Sequence, residues 1–337
     1  MTEKKEEYKK QKAFRLSVAP MLDWSDRHCR YFHRLMTRRA MLYTEMVTAP
    51  AVVHGPRDRL LAFSQAEHPV ALQLGGSDPA ELAQAVRIAA PYGYDEINLN
   101  VGCPSDRVQS GCFGAVLMER PGLVADCVAA MIAESPVLVT VKCRIGVDDQ
   151  NPAEVLPDFI DRVSRAGVGH FVIHARKAWL KGLSPKENRE IPPLDYPLVM
   201  QIKRDFPALT IAINGGIATL DTARELLDQG LDGVMIGRAA YHEPGRVLIG
   251  ADSLWGEDFA PDAFDVVEQM RPYIEAHLAG GGRLHQITRH MLGLFTGRPG
   301  ARGWRRVLSE GASRPDADFS LLTAALDQVK MAALQSA

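Results

Sequence analysis

From residue 16 to about residue 240, short β-branched or apolar runs recur, each followed by a stretch with apolar residues at three- and four-residue spacing. That alternation predicts parallel βα units. The runs predict eight strands: Leu16–Ala19, Met41–Thr44, Val70–Leu74, Glu96–Leu99, Val137–Lys142, Phe171–His174, Thr210–Ile213 and Gly233–Ile236. The segments between them carry helix signals. Ser77 and Asp78 are N-cap residue types, Pro79 suits a first turn, and Leu82, Val86 and Ala89 fall on one face. Thr219 precedes Ala223, Leu226 and Leu227, and Gly230 stands where a left-handed C-cap falls. Eight such units match an α/β TIM barrel in number and size. A doubly wound open sheet is the competing arrangement, but no GxGxxG follows the first strand.

The pattern changes after residue 250. From Pro261 onward only helical periodicities remain, such as Val266, Met270, Ile274 and later Leu321, Leu322, Ala325, Leu326, Val329. The expected division is a barrel over residues 14–250 and a small all-helical domain over residues 251–337, linked through the acidic, turn-prone GADSLWGEDFAPD. Residues 1–13, charged and mixed in sign, are expected to form a flexible N-terminal segment.

Composition narrows the class. Of 337 residues, 46% are hydrophobic and 24% charged, which is globular and excludes disordered, collagenous or disulfide-scaffold chains. No run of about 18 apolar residues occurs, so no transmembrane helix is expected. The start lacks an apolar signal region, which points to the cytoplasm. The five cysteines (Cys29, Cys103, Cys112, Cys127 and Cys143) include no CxxC pair, which argues against a disulfide framework and against a zinc site; no metal is expected.

Strand ends matter most, because in a TIM barrel the βα loops converge there. In order they give Pro20, Glu45, Gln73, Asn100, Lys142, His174, Asn214 and Gly237. Six of the eight are polar or charged, so either they face a common ligand or they simply meet solvent. Asn214-Gly215-Gly216 and Gly237-Arg238 follow the last two strands, where such barrels build phosphate sites; they are otherwise turn glycines. Lys142 and His174 can stabilise negative charge, as on a reduced flavin ring or a ribityl phosphate. A Schiff-base lysine of the class I aldolase kind is the other reading of Lys142. Cys103 lies in a glycine/proline turn after the fourth strand, either as an acid catalyst or as a structural thiol. Cys112 is ambiguous, and Cys127 shares a helical face with Val124, Val128 and Met131.

The net charge of −2 does not announce a nucleic-acid partner, but its distribution does. The loop after the sixth strand carries Arg176, Lys177, Lys181, Lys186 and Arg189. Residues 283–309 hold Arg283, Arg289, Arg298, Arg302, Arg305 and Arg306 without one Asp or Glu. Phe295 and Trp304 are interleaved there as candidate stacking platforms for RNA. A solvated helix face is the alternative.

Taken in order, SVAPMLDWSDRHCR, TEMV, ALQLGG, NLNVGCPS, VKCRIG, FVIHAR, INGGI and VMIGRA resemble the tRNA-dihydrouridine synthase family over essentially the whole barrel. LSPKENREIPPLDYP and GARGWRR resemble in addition its A-type bacterial members, which modify D-loop uridines at tRNA positions 20 and 20a. The resemblance implies an FMN enzyme with a TIM barrel and a C-terminal helical tRNA-binding domain. It implies reduction of the uridine C5–C6 bond with NADPH as electron source. Cys103 would give the proton to C5 while the hydride of reduced FMN goes to C6. Pro20, Met21, Leu22, Gln73, Lys142, His174, Asn214, Gly215, Gly216, Gly237 and Arg238 match FMN-contacting positions. Asn100, Lys186, Arg189, Arg302 and Arg305 match positions that contact tRNA, and Arg144 is a candidate for touching the uracil. Cys112 lies where relatives vary, which weakens it as a second catalyst.

Two other classes stay open. An FMN-dependent dehydrogenase of small pyrimidines, such as dihydroorotate, has no use for the arginine-rich tail. A non-catalytic RNA-binding barrel has no use for a flavin. No obligate protein partner and no membrane association are expected.

Overall fold

The computed structural model describes residues 14–105 and 112–336, so the expected N-terminal segment at 1–13 lies outside the described residues. Eight strands pair in parallel in chain order and close into a barrel: β1 (Leu16–Val18), β2 (Met41–Thr48), β3 (Val70–Gly75), β4 (Glu96–Val101), β5 (Leu138–Arg144), β6 (His170–His174), β7 (Thr210–Asn214) and β8 (Gly233–Ile236). Closure comes from β1 against β8, with Ser17 opposite Met235. The open-sheet alternative is thereby excluded.

A helix follows each strand: α1 (Arg27–Arg34), α2 (Ala49–His54), α3 (Pro79–Ala89), α4 (Pro121–Glu134), α5 (Pro152–Arg165), α6 (Tyr196–Asp205), α7 (Leu220–Asp228) and α8 (Arg238–His242). Their sequence signals act as expected. The Asp78 carboxylate caps α3 by accepting from the Glu81 N–H at 2.9 Å, and Leu82, Val86 and Ala89 are buried. Thr219 caps α7, and Gly230 is left-handed at φ +104°.

Alternation along each strand sorts side chains to two sides. On β4, Ile97, Leu99 and Val101 belong to the core beneath the helices, while Glu96, Asn98 and Asn100 enter the polar hydrogen-bond network of the interior. Ala19, Met41, Tyr43, Ala71, Val172, Ala212 and Met235 form a second apolar cluster inside. Strand β2 departs from expectation. It runs on to Thr48, and its register with β3 slips between Tyr43 and Met46, so Glu45 lies within an irregular strand rather than just past its end. The pattern gave no warning of this, because Thr44-Glu45 reads as a terminus.

Beyond the barrel lie α9 (Ala263–Gln269), α10 (Arg271–Ala279), α11 (Leu284–Thr288), α12 (Ala301–Gly311) and α13 (Ser320–Ser336). Val266, Met270 and Ile274 are all fully buried, and Leu322, Ala325, Leu326 and Val329 nearly so. The stretch expected to be a linker is packed. Asp252 is fully buried, accepting from the Thr37 hydroxyl at 2.5 Å and the Arg38 N–H at 2.8 Å, and Leu254 and Trp255 are buried beside it. The charge of GADSLWGEDFAPD suggested solvent, but one carboxylate with three donors is satisfied indoors.

The helices also clamp the barrel through side chains. Asp26, the α1 N-cap, accepts from Arg289 at 2.6 Å and contacts His290 Nε2 at 3.1 Å. Tyr31 stacks on Tyr273 at 4.0 Å.

Candidate active site

The catalytic-turn candidate is held from both sides. Oδ1 of Asn100, at the end of β4, accepts from the N–H groups of Gly102 (3.1 Å) and Cys103 (3.0 Å), which folds the chain back over the strand end. Arg144, at the end of β5, donates from Nε to the Gly102 carbonyl at 2.9 Å. Its Nη1 donates to the carbonyls of Lys177 (2.9 Å) and Asn188 (3.0 Å), so one guanidinium ties the cysteine turn to the loop after β6. Cys103 is half-buried, with Sγ 3.5 Å from the Ser105 hydroxyl. Cys112 is exposed, with a left-handed backbone at φ +55°.

Beside this turn the mouth is cationic. Lys142 stands opposite Asn100 in the β4–β5 register, and among the described residues its ammonium has neither a hydrogen-bond acceptor nor a carboxylate partner. Burial, reinforced by the Arg144 guanidinium, pushes its pKa down to about 8. Burial and the charges of Arg144, Lys142, Arg176 and Arg189 hold His174 well below its ordinary value, so the imidazole is neutral near pH 7. Any negative charge it stabilises is therefore met by a ring N–H rather than by a full positive charge. A half-buried ammonium without a carboxylate partner among the described residues favours an anion or a strongly accepting ring edge beside it.

The two glycines after β7 shape the other wall. A Cβ on Gly215 would lie 2.6 Å from Cδ2 of His174, and one on Gly216 would lie 2.6 Å from Cδ1 of Leu194. Both have positive φ, +114° and +71°, so side chains are excluded twice. The Tyr196 hydroxyl donates to the Gly215 carbonyl at 2.5 Å, and Asn214 donates to the Met235 carbonyl at 2.8 Å. Gly237 tolerates a Cβ, which would meet Ala19 and Met21 only at 3.5 and 3.7 Å. Its neighbour Arg238 pairs with Glu190 of the β6 loop at 2.5 Å, so that guanidinium already has a carboxylate partner. Pro20 and Met21 are half-buried on the β1 loop, and Leu22 is 67% exposed.

The fold thus brings Met21, Gln73, Lys142, His174, Asn214, Gly215, Gly216 and Arg238 to one end of the barrel with Cys103. Gln73 is buried, giving Nε2 to Asn98 and accepting from Asn100, both at 2.8 Å, which leaves one N–H and one lone pair for a ligand. Asn100 is mostly occupied in holding the turn. Lys186 and Arg189 are exposed on the β6 loop, whose shape depends on the buried Asn188 carboxamide. Arg302 and Arg305 lie elsewhere, exposed on α12.

Two expectations fail. Trp304 and Phe295 are fully buried in the helical core, edge to face at 5.0 Å, with the indole N–H donating to the Met291 carbonyl; neither can stack on a base. The i, i+4 spacing of Trp304 and Leu308 puts them on the inner face of α12 and the arginines outside. Arg289 is already engaged by Asp26. The sequence reading also missed Glu96, Asn98 and Thr140, although EINLNV alternates polar and apolar along one strand, the pattern of a strand with a polar inner side.

Such a mouth, with a half-buried cysteine, a lysine without a carboxylate partner among the described residues and a tight glycine turn at the converging strand ends, is that of a barrel enzyme. A solved structure of morphinone reductase matches the fold with a TM-score of 0.51 at 14% identity, over 75% of this chain and 88% of that one. Residues 17–332 match the family described as "Dihydrouridine synthase (Dus)". Proteins named "tRNA-dihydrouridine(20/20a) synthase" are similar along most of their length. The one from Vibrio vulnificus is 59% identical over 94% of this chain and 97% of its own. That from Salmonella typhimurium is 60% identical over 94% and 96%, and that from Escherichia coli 61% over 94% and 91%. This chain belongs to the dihydrouridine synthase family. Among its described residues no helix is long and apolar enough to cross a membrane.

Proposed function

We propose that this protein reduces the C5–C6 double bond of D-loop uridines at positions 20 and 20a of tRNA to 5,6-dihydrouridine in the cytoplasm, using FMN and electrons from NADPH. The relatives that carry this activity in their names are about 60% identical across nearly the whole chain. The observation that carries the reading to the residues is Lys142, without a carboxylate partner among the described residues, beside the Cys103 turn and close to His174, against which Gly215 packs. FMN fits this chemistry: its phosphate suits the glycine turn and Arg238, with Pro20, Met21, Leu22, Asn214 and Gly237 lining the cofactor.

When bound and reduced, the flavin supplies the hydride for C6. Every other role belongs to the chain. Lys142 and the neutral His174 offset negative charge at the edge of the ring. Gln73 has one N–H to give it. Cys103 holds the proton for C5 at Sγ, and Arg144 keeps that turn against the β6 loop. Lys186, Arg189, Arg302 and Arg305 take phosphates of the tRNA, with Asn100 at the base pocket, so that one uridine can leave its stack at a cost of about a few kcal/mol. The chain is divided at residues 250/251, with the catalytic barrel before it and the RNA grip after it. A small-molecule pyrimidine dehydrogenase would leave the exposed arginines of α12 without a role.

The direct test maps dihydrouridine in tRNA from cells lacking this protein. Loss at positions 20 and 20a, restored by the intact gene, supports the reading. An unchanged dihydrouridine pattern overturns it.

A further inference from the structure

Barrel interiors are usually filled by layers of branched aliphatic side chains. Here one wall is polar from the mouth to the floor. The N–H groups of Gly102 and Cys103 donate to Asn100 Oδ1. Asn100 Nδ2 donates to Gln73 Oε1 at 2.8 Å, and Gln73 Nε2 donates to Asn98 Oδ1 at 2.8 Å. Asn98 Nδ2 donates to the Thr140 oxygen at 2.7 Å, and the Thr140 hydroxyl donates to Glu96 Oε1 at 2.6 Å. The Tyr43 hydroxyl donates to the same oxygen. Gln73, Asn98, Thr140 and Glu96 are each no more than 1% exposed.

The direction of this chain is set by its ends. A backbone N–H can only donate, and Glu96 Oε1, met by the Thr140 and Tyr43 hydroxyls, accepts even though burial pushes the carboxyl's pKa up to about 7, because a proton taken up near neutral pH has the partnerless Oε2 to sit on. Thr140 must therefore turn its proton to Glu96 and its lone pair to Asn98, and each amide in turn must point its NH2 toward the floor and its oxygen toward the mouth. Reversing any one amide would put its NH2 against another N–H donor on the mouth side, and for Asn100 or Gln73 its oxygen against the next amide oxygen on the floor side, in a place without bulk water. The other carboxylate oxygen of Glu96 lies 3.9 Å from His170 Nδ1, and neither has a hydrogen-bond partner among the described residues.

We infer that Glu96 is a positioning residue for the reaction at Cys103, the acceptor at the barrel floor that orients Thr140, Asn98, Gln73 and Asn100 in series. The inference rests on the proposed flavin site. By this route a side chain at the far end of β4 decides which amide edge Gln73 shows the ring, and it holds the carboxamide that folds the Cys103 turn.

The test compares the FMN-loaded variants Thr140→Val, Thr140→Ser and Glu96→Gln with wild type. Valine has the shape of threonine but breaks the series, whereas serine restores it. Glutamine keeps an accepting oxygen for Thr140 and Tyr43. The readouts are kcat and KM for tRNA, the FMN dissociation constant, the flavin absorption spectrum and the melting temperature. Thr140→Val is expected to lose about ten- to a hundredfold in kcat with KM for tRNA unchanged, to bind FMN more weakly and to shift the flavin bands. Thr140→Ser and Glu96→Gln should stay within about threefold of wild type, the difference expected for keeping each bond. A Thr140→Val protein that only melts lower, with kcat and spectrum intact, overturns the inference. Glu96→Gln as damaged as Thr140→Val also overturns it, because the charge and not the direction would then matter. If valine prevents folding, Thr140→Ala breaks the same series without added bulk and is judged by the same outcomes. Failure of the wild type itself to bind FMN or make dihydrouridine would instead sink the proposed function.

Discussion

Replacing Lys142 by methionine should stabilise the flavin-free protein while weakening its hold on FMN. The ammonium is pushed from an ordinary 10.5 down to about 8, chiefly by burial, with Arg144 adding repulsion. That depression corresponds to about 3 kcal/mol, an upper figure because part of the side chain still meets water in the open mouth. For a depressed lysine, both states carry the proton below about pH 8, and the folded state bears the full cost. Between about pH 8 and 10.5 the unfolded chain binds more protons than the folded one, so stability rises with pH and the cost is gone above that window. Methionine has nearly the same length and no charge. The flavin-free variant should therefore melt about 4 °C above wild type at pH 7, since a chain of 337 residues unfolding as one unit shifts by about 1.4 °C per kcal/mol, and the gap should close by about pH 10. Losing a charge-assisted contact should at the same time weaken FMN about ten- to a hundredfold. Scanning calorimetry of flavin-stripped protein at pH 7 and pH 10, with FMN fluorescence titration, measures both. A variant that melts no higher than wild type at pH 7, or binds FMN equally well, would refute the account of the cationic mouth.

Two further outcomes follow from the geometry. Gly215→Ala forces a Cβ to 2.6 Å from His174 in a backbone region costing about 1–3 kcal/mol, so the imidazole must move and FMN affinity should fall at least tenfold. Ultrafiltration with absorbance at the flavin band checks this. Arg302→Ala with Arg305→Ala should weaken tRNA binding and flatten the slope of log K against log salt by about one unit per lost phosphate contact, leaving NADPH oxidation by the flavin untouched. Filter binding across salt concentrations measures it, and an unchanged slope would remove those arginines from the interface.

The barrel was legible because its signals are local and repeated. Every predicted strand contains or overlaps an observed one, and the caps at Asp78 and Thr219 are where the residue types put them. The mouth was legible for the same reason, since position at a strand end determines which residues meet. What the pattern could not give depends on three-dimensional company. Asp252 looks solvent-bound until Thr37 and the Arg38 N–H arrive to satisfy it. Trp304 looks like an RNA platform until Leu308, one turn on, shows which side of α12 faces inward. The Glu96 series was hidden differently. Its members alternate along β4, but their bonds cross to Gln73 on β3 and Thr140 on β5, and only the register of three strands brings them together.

The most direct measurement is a single-turnover experiment on tRNA lacking dihydrouridine, comparing wild type with Cys103→Ala, each loaded with FMN and reduced by NADPH beforehand. Alanine should leave flavin reduction and tRNA binding intact while dihydrouridine formation falls by about a hundredfold or more, the share of a positioned proton donor. Product formed by the alanine variant at the wild-type rate would mean that the proton at C5 comes from elsewhere.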